Sequence, residues 1–441
     1  MRIYATTLSG LVLLASAVFA QESPQLEPLR VMASWEAGQI ESFEKSGSPV
    51  VGKRKQLLNH SGVWLLQEAK LTDRARAYVG VGGMYFFILP SAQNQYSFGQ
   101  RSAFGLTDAH GEYDAIVGEG GDVPLRLKAG IFPYKYNEDA KNLGEYMFRT
   151  YTYPNIITTG GLVVVNSAGA QLNGVAAETR IGGLKNELLV TVKTDQVPSG
   201  ALSLTDIISY RLGFLTVGAG YMFDNFYSAD GVARGNTSEA ALFPQEYYWE
   251  LSDGRNVQYG SGLNPGDSVV ATHHFSFVGQ KAMVRASVDL GSIVPTPLIA
   301  PGTFKVYYEG VLMGVEDRPI FYENRKDRIA HMFGVNLPTF GLLDMLSGEL
   351  EYCSNPYAPD MSNATLYLSP TPKDNQGTKF KSDDLKWTVY ARRTVLPGFT
   401  VTGQVARDHT RLVDYFGHTT DMELLPKREN WYWAMQLGYS I

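Results

Sequence analysis

The strongest constraint on this chain is the alternation in residues 430–441. Trp431, Trp433, Met435, Leu437, Tyr439 and Ile441 take one parity, and Tyr432, Ala434, Gln436, Gly438 and Ser440 take the other. Side chains that change face at every residue belong to a strand. Twelve residues in this form rise roughly 40 Å, and at a tilt of about 45° they cross a hydrocarbon layer about 30 Å thick. In a soluble sheet, an apolar and aromatic face of that length would be an adhesive edge. Against lipid it needs no cover. The competing reading is an amphipathic strand of a soluble sandwich.

The pattern resembles the C-terminal strand of Gram-negative outer-membrane β-barrels, and through it the chain is similar to the porin-like family. The resemblance implies a membrane-facing row of Trp431, Trp433, Met435, Leu437, Tyr439 and Ile441, read by the outer-membrane assembly machinery. The family usually ends in Phe, whereas this chain ends in Ile441.

Residues 1–20 have the shape of a secretory leader: Arg2 near the start, an apolar run over 11–19, and Val18 and Ala20 at the small-residue positions. That leaves 21–441 as a single expected domain. Beyond the leader no window holds eighteen consecutive apolar residues, so no helical span is expected. Cys353 is the only thiol, and it can form no disulfide within the chain. The mean hydropathy is slightly negative, as in a barrel whose strands turn every second residue to water. A load of 26 Tyr and 21 Phe suits membrane interfaces. Loss of Arg2 with the leader would shift the formal net charge from -6 to -7, which argues against nucleic-acid binding and leans toward cations.

Further alternating segments fall at 29–36, 63–71, 75–87, 103–115, 125–131, 172–181, 185–194, 202–210, 215–223, 269–290, 304–312, 329–337, 346–352, 385–393 and 399–407. Gly80, Gly82 and Gly83 predict a bulge or a close backbone approach. In 269–290 the apolar parity flips near Gly279, at a hairpin turn or a bulge. A bulge preserves the alternation of long and short connections and gives sixteen strands, with fourteen or eighteen as alternatives. The expected fold is therefore an all-β, transmembrane, antiparallel up-and-down β-barrel.

The inward parity supplies the candidate lumen: Asp108, His110, Glu112 and Asp114 on one strand, Lys305 and Glu309 on another, Glu349 and Glu351 on a third, and Lys386 and Arg392 on a fourth. Mixed charge of this kind filters by size and charge. The row from Asp108 to Asp114 reads as a polar lumen wall, with divalent-cation binding by its carboxylates and imidazole as the alternative. His273 and His274, neighbours on a strand, point to opposite faces and cannot share a metal. In porins of sixteen or eighteen strands a loop folds inward and narrows the channel. Gly130-Ile131-Phe132-Pro133, followed by Lys135, Glu138, Asp139, Lys141, Glu145 and Arg149, resembles a strand entering such a loop.

No HExxH, P-loop, GxSxG or paired-cysteine motif occurs, so no enzyme and no cofactor is expected. The expected function is passive diffusion of small hydrophilic solutes or ions across the outer membrane. The alternative is an occluded barrel acting as anchor, adhesin or surface enzyme through its external loops. The resemblance implies membrane lipid and lipopolysaccharide as surroundings, and a homotrimer by analogy with porins. Lys53-Arg54-Lys55 reads as a solvated loop, with contact to lipopolysaccharide phosphates as the alternative.

Overall fold

The computed structural model describes residues 24–42, 57–88, 102–118, 123–140, 170–192, 202–227, 247–260, 262–274, 279–293, 296, 299–312, 314–315, 325–353, 385–407 and 430–441. Residues 1–20, Lys53-Arg54-Lys55, Lys141, Glu145 and Arg149 lie outside them.

A two-residue strand, β1 (Gln25–Leu26), pairs with the lower end of β3 (Leu57–Lys70). The barrel itself runs through β2 (Arg30–Ser42), β3, β4 (Ala75–Ile88), β5 (Ser102–Ile116), β6 (Leu125–Tyr134), β7 (Ala170–Ile181), β8 (Leu184–Val192), β9 (Leu202–Leu212) and β10 (Leu215–Tyr227). It continues, after an insertion, through β14 (Gly279–Asp289), β15 (Lys305–Leu312), β16 (Ile329–Leu337), β17 (Met345–Cys353), β18 (Leu385–Leu396), β19 (Phe399–Arg407) and β20 (Asn430–Ser440). Every pairing is antiparallel, and β20 closes on β2 from Met32 opposite Ser440 to Ser42 opposite Asn430. These are the sixteen strands expected, and closure leaves the sheet no edge.

The insertion corrects the sequence reading of residues 269–290 as one bulged strand. β11 (Tyr247–Leu251), β12 (Asn256–Gln258) and β13 (Val269–His274) form a separate sheet in the order β12-β11-β13, and the barrel resumes at β14. The parity flips because the two halves belong to different sheets. The count survives because β13 is not a barrel strand. β3 also starts at Leu57, six residues earlier than the apolar alternation shows. Backbone pairing carries it past the stretch where side chains advertise a membrane face, with Leu58 opposite Ile88.

The short turns, Gly182-Gly183, Gly213-Phe214 and Pro397-Gly398 among them, lie at one end of the barrel, and the long connections lie at the other. The faces invert the soluble pattern. Val63, Val79, Val175, Val284, Phe333 and Val389 are large, apolar and exposed on the outside. Lys281, Glu309, Thr402 and Gln404 are buried on the inside. An exposed apolar surface repeated around a closed sheet is a lipid-facing band. The row Trp433, Met435, Leu437, Tyr439 faces outward, with Tyr432, Ala434 and Gln436 inward and buried.

The glycines of β4 have two local causes. The pairing with β5 slips between Gly80 and Val81, opposite Asp108 and Leu106, which leaves Thr107 as the bulged residue. At Gly82 a Cβ would sit 2.0 Å from the indole of Trp64, so the close approach is made by a ring rather than by a backbone.

Candidate functional site

At the end of β6 the chain turns into the barrel and reaches strands well away around the wall. Asn137 Nδ2 donates to Glu309 Oε2 at 2.7 Å, and the Tyr136 hydroxyl donates to the other oxygen of the same carboxylate. Arg285 on β14 donates to the Tyr136 carbonyl at 2.5 Å, Lys305 Nζ meets Asp139 Oδ1 at 2.8 Å, and Asn336 Nδ2 on β16 donates to the Asp139 carbonyl at 3.2 Å. Four side chains from three consecutive strands thus hold one short segment, residues 136–139. Burial pushes the Tyr136 hydroxyl well above its ordinary value, and the negative Glu309 beside it acts in the same direction. Tyr136 therefore keeps its proton and remains a donor.

The segment rests on an apolar bed. Phe132, Tyr136, Ala140, Leu172, Leu189, Ile207, Met222, Met283, Tyr307, Val311, Ala330 and Met332 make one buried cluster. Leu189, Ile207, Met222, Met283 and Met332 sit on the inward parity, where a water-filled wall would carry polar residues. A covered wall gains from apolar side chains instead. Lys135 donates from Nζ to the Ala140 carbonyl at 2.8 Å. Glu138 is exposed.

The row Asp108, His110, Glu112 and Asp114 is an ion-pair wall. Lys128 reaches Glu112 at 2.8 Å, Arg126 reaches Asp114 at 2.7 Å and Glu112 at 3.7 Å, and Arg76 stands 3.9 Å from Asp114. His110 lies between Asp108 and Glu112 and stacks on Tyr78 with ring centroids 4.5 Å apart. These acids face bases on the next strands because the registers bring Glu112 opposite Lys128 and Asp114 opposite Arg126. No group of three or more His, Cys, Asp or Glu is arranged to hold a metal among the described residues. His273, on the separate sheet, pairs with Glu250 at 2.7 Å and stacks on Tyr248; the side chain of His274 lies outside the described set.

On the remaining wall, Glu349 accepts from the Tyr307 hydroxyl at 2.6 Å, and Lys386 lies 3.6 Å from Glu351. Arg392 continues the parity of Lys386, Thr388 and Tyr390. The structure therefore brings Lys305, Glu309 and Asp139 together at one place, with Glu349 next to it through Tyr307, which lies in the bed of the segment. Sequence reasoning missed Tyr136, Asn137, Arg285 and Asn336. A signal was present in the apolar residues at inward parity, Met283 and Met332 above all, which mark where a wall is covered.

Between the inward segment and the short turns lies a cavity of about 530 Å³, bordered by Asp139, Arg180, Lys185, Arg211, Arg285 and Lys305 among others.

No family model and no curated protein matches the sequence. Among solved structures, the chain is similar to a Salmonella typhi OmpF in complex with daunomycin, at 10% identity and a TM-score of 0.49, over 94% of this chain and 97% of that one. It is likewise similar to Pseudomonas putida OprB, at 10% identity and a TM-score of 0.47, over 97% and 96%. A third is an Rh. blastica porin mutant, at 9% identity and a TM-score of 0.45, over 95% and 100%.

Proposed function

We propose that the chain is a porin-like outer-membrane channel through which small hydrophilic solutes or ions diffuse passively. The observation that carries the reading is the segment after β6, pinned across the interior by Glu309, Lys305, Arg285 and Asn336. A covalently continuous constriction held by buried charge-assisted hydrogen bonds narrows a barrel without plugging it, so selection is by size and charge. The apolar exterior supports insertion in lipid, with the row from Trp431 to Ile441 as its last membrane-facing strand, and the export leader supports the outer membrane as the compartment. The mixed-charge row from Asp108 to Asp114, paired with its bases, supplies fixed charges on the wall beside which a polar solute passes. Homotrimeric assembly, contact with lipopolysaccharide and handling by the barrel-assembly machinery belong to the same reading.

A second reading draws on the sheet β11–β13. Its Tyr248–His273 stack, at 4.8 Å, and Trp249–Tyr259 pair, also 4.8 Å, build an ordered element on the side of the long connections. In that case the barrel is an anchor for an external binding surface. Planar-bilayer recordings of the refolded protein separate the two. Stepwise ion-conducting openings are expected, and a barrel that inserts and shifts on heating but never conducts would leave only the anchor reading.

A further inference from the structure

The cavity beneath the inward segment is unlike the chain as a whole. Its border carries five basic residues, Arg180, Lys185, Arg211, Arg285 and Lys305, against three acidic ones, Glu138, Asp139 and Asp289. Three of the bases are committed to carboxylates: Lys305 to Asp139, Lys185 to Glu187 at 3.2 Å, and Arg180 to Glu178. Asp289 is occupied by Ser292 Oγ at 2.6 Å and the Gly302 amide at 2.9 Å.

The two remaining guanidinium groups are different. Arg211 Nε donates to the Gly213 carbonyl at 3.3 Å, and Arg285 donates to the Tyr136 carbonyl. Neither makes an ion pair among the described residues, although Glu187 and Glu309 lie near enough to Arg285 to be felt electrostatically. Arg285 lies across Gly218, where a Cβ would come within 2.9 Å of its Nε, so β10 is hollowed to seat it. The registers place Thr216 opposite both Arg211 and Ser287, and Gly218 opposite both Ser209 and Arg285. The wall between the two arginines is thus lined with hydroxyls. A guanidinium whose fork is not filled by a carboxylate suits a planar or tetrahedral oxyanion, and hydroxyls beside it suit the remaining oxygens.

We propose that this cavity is a subsite for a small solute bearing a phosphate or carboxylate oxyanion, held chiefly by Arg211 and Arg285, on the short-turn side of the inward segment. The proposal rests on the channel reading for its purpose, since an occupied subsite there lies on the path of a diffusing solute. The binding itself does not depend on conduction.

The test is isothermal titration of the detergent-solubilised full chain with inorganic phosphate and, separately, with acetate, at fixed chloride. Wild type is compared with Arg211→Gln and with Lys70→Gln, which removes a cation from another short turn, where Lys70 pairs with Asp73. Saturable heat is expected with at least one anion, and the anion that gives it identifies the class. Loss of one charge-assisted donor is expected to weaken binding about tenfold in Arg211→Gln. Lys70→Gln is expected to bind as wild type does. Heat-modifiable mobility checks that each variant has folded. No saturable binding by the wild type, or equal weakening in the two variants, overturns the proposal. A wild type that conducts in a bilayer without binding either anion removes the subsite and keeps the channel; one that binds without conducting does the reverse.

Discussion

The two halves of the barrel interior share a backbone geometry and differ in chemistry. On the wall of β8–β10 and β14–β16 the inward parity sets Leu189, Ile207, Met222, Met283 and Met332 among buried polar residues such as Glu187, Thr205, Lys281, Glu309 and Asn336. On the wall of β17–β20 and β2 it carries Ser347, Thr388, Thr402, Gln404, Gln436 and Ser34, every one buried. Some of these polar side chains bond within the wall: Gln404 Nε2 donates to the Tyr432 hydroxyl at 3.0 Å and Gln436 Nε2 to Glu36 at 3.4 Å. The first wall is covered by residues 136–140 of the segment after β6. An apolar patch on an inward row thus marks docked chain, and the polar residues beside it bond to that chain or to one another.

The largest effect expected from breaking this asymmetry is at the bed of the segment. Met332→Ala removes a side chain with no exposed surface and is expected to destabilise the barrel by about 3 kcal/mol, read by reversible urea unfolding in lipid. Thr402→Ala, at equivalent burial on the other wall, should cost about 1 kcal/mol. Equal costs would erase the distinction between the walls.

Next comes Gly82→Val. Its Cβ would stand 2.0 Å from the Trp64 ring, so the indole must leave its place. Overpacking of this kind costs about 2 kcal/mol, and tryptophan emission should shift with it. A smaller loss, about 1 kcal/mol or less, is expected for Lys305→Gln, because the Lys305–Asp139 pair keeps partial contact with water. That variant bears on the segment's position more than on its stability.

The smallest effect belongs to the separate sheet. The Asn264 amide at 2.8 Å, with the Arg255 guanidinium in support, holds the Asp267 carboxyl below its ordinary range. A lowered folded-state value means that the contribution is present above the unfolded value and is lost as pH falls through the folded one. Amide exchange in β11–β13 should therefore rise below about pH 4 while the barrel strands stay protected. Asp267→Asn should weaken that acid dependence, with Asp253, held low by the same Arg255, carrying the remainder.

Much of this was legible in the sequence, for a physical reason. A lipid face must be apolar at every second residue, so the strands over Leu215 to Phe223 and Phe399 to Arg407 declare themselves, although the first runs on to Tyr227. The β11–β13 insertion was not legible as a separate sheet, because Val269 to His274 alternates as a barrel strand would, and only the partner strand tells which sheet it joins. The candidate site was half visible. Lys305, Glu309 and Asp139 were found as inward charges, but their meeting depends on a contact between residues 166 positions apart, as Lys305 and Asp139 are. Tyr136 and Asn137 look ordinary in sequence, since their role exists only once the segment turns inward.

The central claim is that the segment held by Glu309 sets the width of the channel. Liposome swelling with neutral sugars of increasing size, for wild type and for Glu309→Ala, tests it most directly. The variant loses the carboxylate that both Tyr136 and Asn137 hold, and it should admit larger sugars than wild type while remaining heat-modifiable. An unchanged size limit in a folded Glu309→Ala barrel would contradict the account and place the constriction elsewhere.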